Sequence, residues 1–151
     1  MFGTAQAASE LQTFYTIPDE TVKLWEELFY PFKEDDPDIP LTIERVNRGA
    51  ALLDEKKPKW VYGVLPENLD MSCSDLCIIG QSYGTYSKVY IPFGMTWVEA
   101  DELPTDEMDG KGIDHGFLED ANSPFALLDR VWSLLLVERH TRAEPLFLRL
   151  P

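Results

Sequence analysis

Gly80-Gln81-Ser82-Tyr83-Gly84 carries the G-x-S-x-G spacing. In hydrolases of the α/β type this spacing holds a serine on a tight strand-to-helix turn, with its oxygen presented to a histidine base. Asp114 or Asp129 and His140 follow in the chain order Ser, Asp, His. The surroundings differ, because Thr85-Tyr-Ser-Lys-Val-Tyr-Ile91 continues as a strand pattern up to Pro92 where a helix is required. A β-turn whose glycines relieve backbone strain accounts for the same letters. A small serine hydrolase using Ser82 is therefore a minor alternative.

Cys73 and Cys77, with His115 and His140, are the soft metal ligands of the chain. Two sulfurs and two nitrogens would have to converge tetrahedrally to hold zinc. Cys77 falls in an apolar run and reads as a small core residue, whereas Cys73 sits beside serines and reads as a loop thiol. Asp106, Glu107, Asp109 and Asp114 are hard oxygen donors among glycines. Aligning either Gly110 or Gly112 with the obligatory glycine of a calcium loop leaves no acid at the last ligand position. A phosphate-binding glycine loop and an H-E-x-x-H pattern are both missing. The expectation is no cofactor, no metal and no catalytic residue.

Charge is the strongest signal, with 27 acids against 13 bases and a formal net charge of −14. Such a surface repels phosphate backbones and anionic lipid, which argues against direct nucleic-acid binding and against a membrane. It favours a basic protein or a basic nucleic-acid-binding enzyme as partner. Residues 99–120 hold nine acids and the single base Lys111. The leading reading is a non-enzymatic acidic interaction protein that binds, and so inhibits, a basic partner, either by neutralising a toxin or by presenting carboxylates as a mimic of nucleic-acid phosphates. The candidate contact residues are Asp101, Glu102, Asp106, Glu107, Asp109 and Asp114, with a second patch at Glu34, Asp35, Asp36 and Asp38 and a third between Glu67 and Asp75. The alternative is a structural or assembly protein, a homo-oligomer packed through Trp60, Tyr62, Tyr83, Tyr86 and Trp97. Charge that serves solubility alone is the plainest account.

Positioning these residues calls for an α+β fold: a small antiparallel or mixed sheet from the central segments, packed against N-terminal and C-terminal helices. Residues 1–151 read as one domain, with 1–12 poorly ordered. Helices are predicted over 16–29, where Thr16, Pro18, Asp19 and Glu20 form a start signal, and over 40–56, with Gly49 weakening its middle. A third runs from a cap at Asn122 or Ser123 through Pro124 to about Arg139, its apolar positions recurring at three and four. Strands are predicted at 60–65, 76–79 and 86–91, with a further extended segment at 93–98 and an edge strand at 144–150. The acidic stretch 99–120 reads as a long surface loop. Two cysteines are too few for a disulfide framework, no apolar run approaches a membrane span, and the N-terminus lacks a secretory pattern; together these point to the cytoplasm.

Asp75-Leu-Cys-Ile-Ile-Gly-Gln-Ser-Tyr-Gly84, together with the helix start at Ile17-Pro18, resembles small bacterial immunity and regulatory domains. The polar glycine motif that should follow the first helix is absent, so no family is assigned.

Overall fold

From Ile39 to Leu53 apolar side chains recur every three or four residues, and this period closes into α1 (Asp38–Lys56). The computed structural model describes residues 36–149, with side chains described through residue 140. The helix predicted over 16–29 and the acids Glu34 and Asp35 lie outside the described residues. At the start of α1 the Asp36 carboxylate accepts the Asp38 N–H at 2.9 Å and the Asp36 carbonyl accepts the Ile39 N–H at 3.1 Å. Lys56 closes the helix where its dipole favours a cation. Ile39, Ile43, Val46, Ala50 and Leu53 form its buried face.

That face packs against α6 (Phe125–Arg149), the last and longest helix. The Pro124 carbonyl accepts the N–H groups of Leu127 and Leu128 at 2.9 and 3.0 Å. Leu127, Leu128, Val131, Trp132, Leu134, Leu135 and Leu136 are all buried, too many in succession for a single stripe. A helix apolar over so much of its circumference must be surrounded, and α6 is the central element of the core. The edge strand predicted at 144–150 is corrected by the continuation of α6 to Arg149.

The predicted sheet is also overturned, because the described residues contain no β-strand. The α+β expectation gives way to a helical architecture. Segment 60–65 contains the short α2 (Trp60–Gly63), followed by a 3-10 turn at Pro66–Asn68. Segment 76–79 enters α3 (Ile78–Tyr83), and 86–91 begins with a 3-10 turn at Tyr86–Lys88. The physical reason lies in run length: four to six apolar residues fit a buried strand or one buried helical turn equally, and local period does not separate them. Caps and tertiary burial decide. The Cys77 sulfur accepts the Gly80 N–H at 3.2 Å and so caps α3, while Cys77, Ile78 and Ile79 go into the core together. Gly84 ends α3 with φ 103°, a left-handed cap that L side chains rarely adopt, and its N–H bonds to the Gly80 carbonyl at 2.8 Å.

The acidic loop predicted at 99–120 is largely helical: α4 (Trp97–Glu102) and α5 (Thr105–Asp114) occupy most of it. A capping box starts α4, with the Thr96 hydroxyl accepting the Glu99 N–H at 3.2 Å and the Glu99 carboxylate accepting the Thr96 N–H at 3.1 Å. Pro104 precedes α5, and Asp106 and Glu107 put negative charge on its first turn.

An aromatic cluster joins these layers. Trp60 meets Trp132 edge-on at 6.0 Å, Phe117 stacks on Trp132 at 6.1 Å, and the Trp132 indole N–H donates to the Gly116 carbonyl at 2.7 Å. Gly49 makes this junction fit, since a Cβ there would collide with the His115 carbonyl. The glycine that reads as a weak point of α1 is the place where the turn after α5 lies against it. Among the described residues no helix is long and apolar enough to cross a membrane.

Candidate functional site

The motif serine is built into α3 rather than onto an elbow. Ser82 is the last residue but one of that helix, and its buried hydroxyl makes no hydrogen bond among the described residues. His140 is committed elsewhere, with Nε2 at 3.1 Å from the Val64 carbonyl. Asp129 accepts the Met71 N–H at 2.6 Å, and burial raises its carboxyl above the ordinary value, with nearby Asp70 adding to the effect. Asp114 meets Arg48 through its backbone carbonyl, at 2.8 Å. Ser82, His140 and either aspartate are therefore not arranged as a hydrogen-bonded triad.

The four soft ligands are equally separate in role. The Cys77 sulfur caps α3, and burial pushes its thiol up, away from the thiolate a metal needs. His115 Nδ1 lies 2.8 Å from the Lys111 carbonyl, and the ring sits edge-on to Phe93 at 4.9 Å and stacked on Phe117 at 6.2 Å. Among the described residues no group of three or more His, Cys, Asp or Glu side chains could hold a metal ion.

The acids divide into those the fold uses and those it leaves in water. Asp36, just before α1, accepts the Asp38 N–H, and Asp38 accepts from the Asn122 side chain at 3.0 Å. Asp120 accepts Arg45 at 2.7 Å and the Ser123 and Asn122 N–H groups at 2.9 and 3.0 Å; the Arg45 bond leads in holding its carboxyl below the ordinary value. Asp54 lies between Arg139, at 2.9 and 3.1 Å, and the Trp60 indole N–H, at 2.9 Å. Burial pulls Asp54 upward, but those bonds outweigh it and leave the carboxyl lowered. Glu99 is spent in the capping box. By contrast Asp101, Glu102, Asp106 and Glu107 are exposed and Asp109 is half-buried, and among the described residues none of the five is in an ion pair. Asp114, also exposed, ends α5.

The same segment carries apolar surface. Trp97 is 66 % exposed and Val98 46 %, at the first two positions of α4, and Ile91 in the preceding turn is 40 % exposed. Of the other aromatics considered as interface anchors, Trp60 is core, Tyr83 and Tyr86 are half-buried, and Tyr62 is exposed. Tyr86 lies over α5, where a Cβ on Gly112 would come within 2.6 Å of its hydroxyl; burial, with Asp109 nearby, raises that phenol strongly. Val98 and Ile91 are the surface residues that reading strands through 86–98 conceals. The T-x-x-E pattern at Thr96 and Glu99 is the signal that identifies α4 and with it this face. No family model, curated protein or solved structure matches the chain.

Proposed function

We propose that this chain is a non-enzymatic interaction protein that binds a basic partner through α4 and α5, and inhibits a basic toxin or nucleic-acid-binding enzyme by occupying its cationic surface. The observation that carries this reading is the presence, on two consecutive short helices, of exposed carboxylates outside any ion pair among the described residues together with a largely exposed tryptophan. Carboxylates left in water by their own fold keep their field available to a partner, and complementary fields speed encounter. An exposed indole supplies the apolar area that charge alone does not. Self-association through the same face would bring two sets of carboxylates together, and like charge opposes it.

The test is kinetic. Affinity capture from the native host with mass analysis supplies candidate partners, and each is then re-examined as a purified pair. Raising salt from about 0.05 to about 0.5 M should slow association by at least about tenfold. Replacing Asp106, Glu107 and Asp109 together by Asn, Gln and Asn should slow association at low salt and flatten the salt dependence. Association by the triple variant that matched the wild type at every salt concentration would overturn the assignment of α4 and α5 as the binding surface.

A further inference from the structure

We infer that the partner segment docking on α4 presents arginine flanked by apolar side chains, with Trp97 as its anchor; this rests on the proposed function of the α4 and α5 surface. Trp97 and Val98 are exposed at successive positions, and one helical turn on from each stands an exposed carboxylate, Asp101 and Glu102 respectively. Side chains four apart on a helix are neighbours, with Cβ atoms about 5–6 Å apart. Each apolar group thus has an acid beside it on its own face. The remaining acid of the helix, Glu99, is held by Thr96 and fixes the first turn, so Trp97 projects from an ordered backbone and loses less freedom on binding.

A flat indole beside a carboxylate fits a guanidinium better than an ammonium. The guanidinium is planar and weakly hydrated; it stacks on the ring while donating two N–H groups in parallel to the carboxylate. A lysine offers a compact, strongly hydrated charge that satisfies the acid but gains less from the ring. Val98, 46 % exposed at the next position of α4, gives an apolar flank of such a segment a place to lose water. A second copy of this chain meets the same carboxylates with its own, which selects a basic segment as the occupant.

The test uses the full chain and three short blocked peptides: arginine alternating with leucine, lysine alternating with leucine, and arginine alternating with serine. The indole N–H resonance of Trp97 is assigned by its loss in Trp97→Phe and followed through titrations at low and high salt. The arginine and leucine peptide should move that resonance and bind at least about threefold more tightly than either of the others. Trp97→Ala, an exposed position whose thermal unfolding should match the wild type, should abolish the preference and leave a weaker, salt-sensitive attraction. Equal binding of all three peptides with the Trp97 resonance unmoved would overturn the anchor while leaving the acidic surface as the binding site. A Trp97 shift that follows protein concentration without peptide would make a second copy the occupant and overturn the inference. Salt-sensitive binding by none of the peptides would overturn the acidic surface as well.

Discussion

Along α1 seven residues on one face are buried, whereas α4 buries no residue and α5 buries only Gly112. The α1 face meets α6, where Leu127 to Leu136 supply buried partners, and the contacts are tied at the edge by Thr42 to Ser123 at 2.7 Å and Arg45 to Asp120 at 2.7 Å. α4 carries its own capping box, while α5 is tied to the rest of the fold at Gly112, which lies under the Tyr86 hydroxyl, and at its C-terminal end, where Arg48 of α1 donates to the Asp114 carbonyl at 2.8 Å. Stability is thus concentrated where α1 meets α6, and the outward positions of α4 and α5, Asp101, Glu102, Asp106 and Glu107, keep their like charges at little cost to folding. A surface free of structural duty is where a charge pattern can serve recognition.

The largest expected effect lies in the core. Trp132→Ala removes a fully buried indole that contacts Trp60 and Phe117, and should destabilise by about 3–5 kcal/mol. A loss below about 1 kcal/mol in urea unfolding would show that the core is not organised around α6.

One substitution made in both regions sharpens the contrast, because it should change sign. Gly49→Ala gains about 1 kcal/mol of helix propensity but drives a Cβ into the His115 carbonyl, and overpacking of that kind costs about 1–3 kcal/mol. The net should be destabilising. Gly110→Ala, in α5, puts its new Cβ within 4 Å of no atom beyond its chain neighbours and the helix's own backbone, and should stabilise by about 0.5–1 kcal/mol. Stabilisation by both would mean that the turn after α5 does not press on α1.

The smallest effect is a pH dependence. The Asp129 carboxyl titrates higher in the folded chain than in the unfolded one, chiefly because it is buried. The folded state therefore binds more protons, and this group's contribution is fully present below the unfolded pKa and lost as pH rises through the folded one. Asp129→Asn keeps an oxygen for the Met71 N–H and cannot ionise. Its stability relative to the wild type should rise as pH increases from about 3 to about 6. Parallel unfolding curves across that range would show that Asp129 is not shifted by its burial.

Taken by itself the sequence determined the parts whose information is local. The recurrence from Ile39 to Leu53 and from Phe125 to Leu135 spans enough turns to specify a helix and its buried face, and the excess of acid is a matter of counting. The capping box of α4 is legible in the letters as well, although the β-branched and aromatic residues around it argue for strand and the glycines at 110 and 112 argue for loop. Only the tertiary structure decided the rest. Leu76 to Ile79 is too short to show a period: Leu76 stays in a turn and 40 % exposed, Cys77 caps, and Ile78 and Ile79 enter the helix fully buried. Which acids are available was settled by what other elements bring to them. Asp54 receives Arg139 and the Trp60 indole from far along the chain, and Asp120 receives Arg45, whereas among the described residues no cation reaches Asp101 or Glu102. A carboxylate looks the same in a sequence whether or not a donor will arrive, because the donor comes from a remote residue that only packing brings near.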